Sequence, residues 1–283
     1  MTLSVCTHFD NHMDIEKDIY VDNPHINKIV TLHGKKWYHK SVDDKDIQYR
    51  EFAVQKLLNK SGYVPNCINY NKSGFLEEKV RGRTFAEFEM ITDKMLIALS
   101  GALQATHIFF EKNNHFDLFN ESIINENRYD PGKVLNMVMG GVRSQSINDL
   151  GVDYDIINNA ALELTSKIKN LPCRNTIIHG DVSLNNIILT PSESLYMIDW
   201  TDCRIDVGIS DFSQAIHLMK LSQKQRNVLL GAYKNTFNFP LFVEFQLLMH
   251  GLYDLIAKLK KSEHFDVELR LLNKRIKEVK TIL

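Results

Sequence analysis

The chain has 283 residues, of which 44% are hydrophobic and 24% charged, and its formal net charge is -1. That composition is typical of a globular protein with a sizeable core, and the near-neutral charge argues against a general nucleic-acid or membrane-surface binder. The four cysteines have no Cys-x-x-Cys spacing, which argues against a zinc site or a disulfide framework and predicts reduced thiols: Cys6, Cys67, Cys173 and Cys203.

The first part of the chain predicts a small unit of strands with one helix. Residues 1–20 show no clear periodicity. A turn at His33-Gly34-Lys35 separates two predicted strands, and Gly62 follows the predicted helix at its end. The predicted elements are strands at 26–32 and 36–42, a helix at about 47–60, and a strand from Phe75 toward Gly82.

The middle of the chain predicts helices. Within residues 84–110, apolar side chains recur at three- and four-residue steps and form one buried stripe that includes Met95 and Leu99. His107, near the end of this helix, fits a core histidine better than a ligand. Further helices are predicted over 111–170, with breaks at Asp130-Pro131-Gly132 and at Gly140-Gly141.

The stretch 176–200 carries the strongest chemical signal. Two β-branched runs flank a polar loop that contains His179, Asp181 and Asn186, and a third run, 195–198, ends at Asp199. If the three runs form neighbouring strands, the two carboxylates and the amide converge on one point. All three are hard oxygen ligands of the kind that holds Mg²⁺ and positions a hydroxyl group.

This pattern resembles the catalytic core of the protein-kinase-like phosphotransferases. Asp181 and Asn186 have the five-residue spacing of that core, Gly180 stands where protein kinases have Arg, and Asp199-Trp200 replaces their Asp-Phe-Gly. Together with Gly208-Ile209-Ser210-Asp211-Phe212, the pattern is similar to the aminoglycoside phosphotransferase and choline kinase family. The resemblance implies an α+β, protein-kinase-like fold. Its small N-terminal lobe, with an antiparallel sheet and one helix, would cover residues 1–80, and a larger, mostly helical lobe 81–283.

The resemblance also implies roles for individual residues. Asp181 would accept the proton of the acceptor hydroxyl, and Asn186 and Asp199 would hold Mg²⁺. Lys40, paired with Glu51 on the following helix, would contact the phosphates of the nucleotide, although Lys35 and Lys36 compete for that role.

Two further parts of the nucleotide site are implied less directly. The backbone around Glu78–Val80 would meet the base, while the same segment also reads as a charged edge strand. No Gly-x-Gly-x-x-Gly precedes Lys40, so the segment that covers the phosphates is not identified.

Other polar residues of this region have structural readings. His179 is expected to fix its loop. The family resemblance implies that Asp211 braces that loop from below, while as simple chemistry Ser210 or Asp211 could also cap a helix predicted at 212–221. Asp202 and Asp206 would face the acceptor. A helical stripe at 242–259 predicts core packing, and a last helix is predicted at 266–280.

The implied function is Mg²⁺-dependent transfer of the γ-phosphoryl group of ATP or GTP to a hydroxyl of a small molecule, aminoglycoside-like or an amino-alcohol. Between residues 101 and 200 acids outnumber bases, which would attract a cationic acceptor, but solvated helix faces explain the same surplus. These acids include Asp117, Glu121, Glu126, Asp130, Asp149, Asp153 and Asp155. The absence of an apolar run of ~18 residues and of a signal-peptide pattern predicts a cytoplasmic protein.

Two other readings stay open. A kinase-like module could bind a nucleotide or a partner without turnover, but such a module would not need Asp181, Asn186 and Asp199 together. A protein kinase would be expected to have the Arg that Gly180 replaces. Without that Arg, switching by an activation-loop phosphate is not expected.

Overall fold

The computed structural model describes residues 14–16, 26–113, 115–119, 130–143, 154–169, 171, 175–233, 239–261 and 266–282. Its N-terminal part is a five-stranded antiparallel sheet with one helix against it, in the strand order β1-β2-β3-β5-β4. The elements are β1 Asp14–Glu16, β2 Ile26–Leu32, β3 Lys35–Lys40, the helix α1 Lys45–Leu58, β4 Cys67–Asn71 and β5 Gly74–Glu78.

The β2–β3 hairpin follows the sequence prediction closely. Leu32 pairs with Lys35, so His33 and Gly34 form a two-residue turn, and both have positive φ angles of 50° and 73°. Such a turn matches the right-handed twist of the strands that it joins. β3 ends at Lys40, so the prediction that it reaches residue 42 was wrong, and β1 was missed because a three-residue edge strand leaves no periodic pattern.

Helix α1 begins two residues before its predicted start. The Asp44 side chain accepts hydrogen bonds from the amides of Asp46 and Ile47, which satisfies two N–H groups of the first helical turn. At the other end a short 3₁₀ turn closes at Gly62, which has the left-handed conformation expected of a glycine after a helix.

The remainder of the chain is mostly helical, with two small antiparallel sheets. The sheets have the orders β6-β8-β9 and β10-β7. The strands are β6 Arg83–Thr84, β7 Asn175–Ile178, β8 Ile187–Leu189, β9 Leu195–Met197 and β10 Arg204–Val207. The helices are α2 Asp93–Asn113, α3 Pro131–Arg143, α4 Tyr154–Ile168, α5 Ile209–Leu218, α6 Gln223–Gly231, α7 Phe239–Lys260 and α8 Asp266–Ile282.

Two helix predictions need correction. The break expected at Gly140-Gly141 was wrong, since α3 runs through both glycines. Leu135, Val138 and Met139 of that helix are buried in the main core, and packing of an apolar face stabilises a helix more than local propensity does. The helix predicted at 84–110 is split into a 3₁₀ turn, Phe85–Glu87, and α2.

The predicted apolar stripes form the main core. Met95 and Leu99 of α2 are buried, and so are Phe242, Phe245 and Leu252 of α7. Side chains from α1, including Val54 and Leu58, belong to the same cluster. The main core therefore joins helix α1 to the helical remainder, whereas buried apolar residues of the N-terminal sheet belong to two smaller clusters.

Among the described residues, no helix is both long and apolar enough to cross a membrane. Cys67 and Cys203 are free and buried, whereas Cys6 and Cys173 lie outside the described residues. Glu121, Glu126, Asp149 and Asp153, four acids of the predicted surplus, also lie outside them.

Candidate active site

The loop between β7 and β8 brings Asp181 and Asn186 into direct contact. The Asn186 side-chain amide donates to the Asp181 carbonyl oxygen at 3.0 Å and to the Asp181 carboxylate Oδ2 at 2.7 Å. Because the Asn186 nitrogen is used in this way, its oxygen Oδ1 points elsewhere and is available as a ligand.

His179 ties this loop to the segment that carries Asp199. Its Nε2 lies 2.9 Å from the Ile198 carbonyl oxygen, and its Nδ1 lies 3.2 Å from the Asp181 backbone nitrogen. The carbonyl can only accept and the amide can only donate, so the ring is the neutral tautomer with the proton on Nε2. The Ile198 amide also donates to the Asn186 carbonyl at 2.9 Å. The two loops are thus held side by side, and His179 has the structural geometry expected of it.

Gly180 occupies a position that excludes any side chain. Its φ is +84°, and a Cβ atom there would lie 2.1 Å from the Asp202 carbonyl oxygen and 2.7 Å from the Arg204 guanidinium. An Arg at position 180 would therefore require the backbone of the facing strand segment to move. The packing of residues 202–204 against the loop explains why this chain has glycine where protein kinases have Arg.

Asp211 braces the loop between β7 and β8 from below. Its carboxylate accepts hydrogen bonds from the amides of His179 and Gly180 at 2.9 and 3.0 Å, and His107 Nε2 lies 3.0 Å from it. Burial alone would raise the pKa of Asp211, but His107 and the backbone amides outweigh burial and lower it. The alternative of a helix cap at Ser210 or Asp211 was wrong, because α5 begins at Ile209 and both residues lie within its first turn.

Asp199 has an unusual backbone conformation that directs its carboxylate toward the N-terminal sheet. Its φ is +63°, a value that Asp tolerates better than most residues. The carboxylate Oδ1 accepts from the Thr201 hydroxyl at 2.6 Å and lies 3.5 Å from Lys40 Nζ. Asp199 therefore links the helical part of the chain to β3.

Lys40 and Glu51 form a fully buried ion pair. The Lys40 ammonium donates to Glu51, and the Trp200 amide donates to the same carboxylate oxygen at 3.2 Å. Burial would lower the pKa of Lys40, but the carboxylates of Glu51, Glu77 and Asp199 outweigh it and raise the pKa. The lysine is thus permanently charged and is held beside Asp199 by α1.

The structure separates Lys40 from the competing lysines. The Lys35 side chain is 60% exposed and pairs with Glu78 at 2.8 Å. The Lys36 carbonyl oxygen accepts a hydrogen bond from the Lys79 amide at 2.9 Å, at the end of the sheet. Of the three lysines, Lys40 alone forms ion pairs with both Glu51 and Asp199 among the described contacts.

The segment predicted to meet the nucleotide base, Glu78–Val80, already makes hydrogen bonds to other parts of the chain. The Glu78 amide donates to the Asn66 carbonyl at 2.8 Å, and the Glu78 carboxylate accepts from Lys35 and Asn66. Lys35 and Asn66 outweigh burial and lower the pKa of this carboxylate. Its side chain therefore lies with Lys35 and not with Lys40, so a base contact here would fall to the backbone near Val80.

The surroundings of Asp181 raise the pKa of its carboxylate. Partial burial raises its pKa, the negative charges of Asp202 and Asp199 add to that effect, and the hydrogen bond from Asn186 opposes it. A base whose pKa is shifted toward neutrality suits general base catalysis. Asp202 is exposed nearby. Asp206 lies on β10, where its carboxylate accepts a hydrogen bond from the Val207 amide at 2.7 Å and lies 3.6 Å from the Arg204 guanidinium.

Two residues of the site were missed by sequence reasoning. Gln214 donates to the Gly180 carbonyl at 2.6 Å and accepts the Val182 amide at 3.1 Å, so it grips the loop beside Asp211. Its spacing of three residues from Asp211 on one helix face was the available signal. Glu77, buried 3.7 Å from Lys40, had none, because its neighbours come together only in the folded sheet.

The donor set fits Mg²⁺. Asn186 Oδ1 and the Asp199 carboxylate are hard oxygen ligands, and Mg²⁺ is commonly held by one or two protein ligands together with substrate phosphates and water. No cluster of three or more His, Cys, Asp or Glu side chains with metal-binding geometry occurs in the described part of the chain. Such a cluster is not needed for a metal that arrives with a nucleotide.

Comparisons with known proteins agree with this geometry. The family model of the phosphotransferase enzyme family matches residues 146–244, which include Asp181, Asn186 and Asp199. The predicted family resemblance is confirmed. No curated protein matches the chain at a significant level.

Solved structures with the same architecture cover almost the whole chain. Choline kinase LicA from Streptococcus pneumoniae is 13% identical, with a TM-score of 0.61 over 96% of this chain and 95% of its own. The GDP complex of aminoglycoside 2'-phosphotransferase-IIIa is 13% identical, with a TM-score of 0.66 over 94% of each chain. An ethanolamine kinase from Plasmodium vivax is 14% identical, with a TM-score of 0.58 over 95% of this chain and 82% of its own. The fold is kinase-like, as predicted.

Proposed function

We propose that this protein is a Mg²⁺-dependent phosphotransferase that moves the γ-phosphoryl group of ATP or GTP to a hydroxyl of a small molecule. The observation that carries the proposal is the meeting of five side chains from three parts of the chain. Asp181 contacts Asn186, their loop is bonded to the segment of Asp199, and Asp199 lies 3.5 Å from the buried Lys40–Glu51 pair.

Each of these residues has a defined task in the reaction. Asp181 orients the acceptor hydroxyl and takes its proton, and its raised pKa supports that role. Lys40, oriented by Glu51, binds the phosphate oxygens. Asn186 and Asp199 would hold Mg²⁺, which when bound neutralises charge on the β- and γ-phosphates. Most of the acceleration comes from positioning and charge neutralisation, as in phosphoryl transfer generally.

The proposal divides the chain into a nucleotide-binding lobe, residues 1–80, and a catalytic and acceptor-binding lobe, residues 81–283. The segment after β5 joins them, and the nucleotide base lies against its backbone near Val80. Structural relatives solved with AMP and with GDP support a nucleotide co-substrate.

The acceptor belongs to the class of small hydroxylated amines. The structural relatives include kinases of choline and ethanolamine and an aminoglycoside phosphotransferase, and the common chemistry of these named compounds is a hydroxyl together with a cationic nitrogen. Exposed acids near the catalytic loop, such as Asp202, would favour a cationic acceptor.

The test is nucleotide consumption with a panel of choline-like alcohols, aminoglycosides, other hydroxylated antibiotics and sugars, each with MgATP and with MgGTP. We expect one acceptor class to raise turnover strongly in the wild type and not in Asp181→Asn. Bound nucleotide without turnover across the panel would refute the enzyme and favour a binding module. Any side chain at position 180 would clash with the Asp202 carbonyl oxygen. This argues against a protein kinase that is gated by an Arg at that position.

A further inference from the structure

A cavity of about 680 Å³ lies at the end of the N-terminal sheet, where the chain passes into the helical part. Four segments form its walls: the β2–β3 turn with the start of β3, the connection from α1 to β4, the end of β5 with residues 79–81, and the β8–β9 hairpin. Small-molecule sites in proteins have volumes of about 300–1,000 Å³. The cavity is therefore large enough to hold a ligand.

This cavity is separate from the candidate active site. Among the described residues that line it, none belongs to the five side chains of the proposed reaction. Successive side chains of a strand point to opposite faces of the sheet. Glu77 of β5 lies beside Lys40, so the next residue, Glu78, faces the other way and pairs with Lys35 at 2.8 Å. The wall that Glu78 and Lys35 form is thus on the face of the sheet opposite to Lys40.

The described lining of the cavity is strongly basic. Its four bases are Lys35, Lys36, Lys79 and Arg81. Its single acid, Glu78, accepts hydrogen bonds from Lys35 and from the Asn66 amide, both at 2.8 Å. Arg81 is exposed and forms no ion pair among the described contacts. Four bases and one acid leave a net charge of +3 on this lining, which favours an anionic ligand.

Another part of the wall is apolar. Val64 and Pro65 are buried there, and the half-buried ring of Tyr196 lines the cavity from the β8–β9 hairpin. An aromatic ring with apolar neighbours packs against the flat or apolar body of a ligand. Ligand sites commonly combine such a wall with a few polar groups that fix the orientation of the ligand. The cavity therefore suits a molecule that has both an anionic group and an organic body.

We propose that this cavity is a second ligand site, which binds a small organic phosphate monoester with its phosphate at Lys35 and Arg81 and its organic body against Tyr196. A phosphate group carries about two negative charges at neutral pH and has three acceptor oxygens, which matches a basic lining better than a single carboxylate does. Arginine holds phosphate through two parallel hydrogen bonds. Because the N-terminal sheet and the β8–β9 hairpin both line the cavity, the ligand bridges the two parts of the chain.

The test is an NMR titration of the full chain with phenyl phosphate, and with inorganic phosphate and phenol as probes that each carry one of its two features. Mg²⁺ is left out and the ionic strength is fixed, so that screening is constant. The backbone amides of Gly34 and Gly62 report on the cavity, which both glycines line, and the amide of Gly180 reports on the active site. We expect phenyl phosphate to shift Gly34 and Gly62 and to bind at least about 10-fold more tightly than either simpler probe, because the buried ring adds to the affinity.

Two variants that each remove one exposed positive charge test the role of the lining. Arg81→Gln acts in the cavity. Lys94→Gln is the control, because Lys94 lies on α2 outside the cavity and its side chain is 73% exposed. Arg81→Gln should weaken phenyl phosphate by about 10-fold, the scale of a lost hydrogen bond to a charged group. Lys94→Gln should stay within roughly twofold of the wild type, because exposed charges far from the ligand are screened.

Four results would overturn the proposed site or its ligand class. They are an absence of binding at millimolar phenyl phosphate, shifts at Gly180 without shifts at Gly34 and Gly62, equal losses in Arg81→Gln and Lys94→Gln, and phenyl phosphate that binds no more tightly than inorganic phosphate. The inference does not rest on the proposed phosphotransfer, because the catalytic side chains take no part in the cavity. Each of these results would leave that proposal intact.

Discussion

Replacement of Lys40 by Met tests whether the buried ion pair is organised as described. Met has a similar length without the charge, so Lys40→Met removes the ammonium and leaves Glu51 buried with its carboxylate unpaired. Only 2% of the Lys40 side chain and none of the Glu51 side chain is exposed. Solvent therefore cannot compensate the remaining charge.

The expected loss follows from that burial. Breaking a buried ion pair by removing one partner costs about 3–5 kcal/mol, because the other charge stays desolvated. The free energy of unfolding of a native protein is about 5–15 kcal/mol, so the variant should lose at least about a fifth of its stability. Lys40→Met/Glu51→Gln should recover at least about half of the loss, because neither member of the pair is then a buried, unpaired charge.

Urea denaturation followed by far-UV circular dichroism measures both effects. Lys35→Met is the matched control, since Lys35 lies on the same strand and forms an ion pair, but its side chain is 60% exposed. An exposed pair contributes about 0–1 kcal/mol, so this variant should unfold almost as the wild type does. A loss of stability in Lys40→Met no greater than in Lys35→Met, or a double variant as unstable as the single one, would refute the buried ion pair as the source of this stability.

Three further predictions concern Asp181, Asp199 and Asp211 of the candidate active site. Asp181→Asn should bind MgATP within roughly twofold of the wild type while kcat falls about 10²–10⁴-fold, the usual contribution of a general base. Calorimetry measures the binding and steady-state kinetics measures kcat. Unchanged turnover would remove Asp181 from the mechanism. Asp199→Ala should raise the Mg²⁺ concentration needed for nucleotide binding by about 10-fold or more, measured by a Mg²⁺ titration at fixed ATP. An unchanged Mg²⁺ requirement would refute the role of Asp199 as a ligand. Because the folded-state pKa of Asp211 is lowered, its contribution to stability is complete above about pH 4, its unfolded value, and is lost as the pH falls through the folded value. Asp211→Asn should therefore be less stable than the wild type at pH 7, and the difference in urea midpoint should shrink below about pH 4; a constant difference would argue against an ionised brace.

The catalytic loop was predictable because its signal is local. Asp181 and Asn186 lie five residues apart in one turn between two short β-branched runs, and Asp199 follows the next such run. When the residues of a site are neighbours in sequence, turn chemistry and strand pattern are enough to place them together.

Predictions that depended on packing were less successful. The two glycines of α3 predicted a helix break, but the buried face of that helix keeps it continuous. Asp211 has a side chain suited to a helix cap, and its actual partners, His107 and two loop amides, come from distant parts of the chain. Local propensity is a weak guide where tertiary contacts decide.

The sequence by itself determined the family resemblance, the polar residues of the two loops and the apolar stripes of the long helices. Only the tertiary structure decided which of three lysines reaches Asp199, why position 180 admits no side chain, and that Glu77 lies buried beside Lys40. The reason is physical. Motif residues are close along the chain, whereas charge balance, steric exclusion and burial are set by groups that meet only when separate elements pack together.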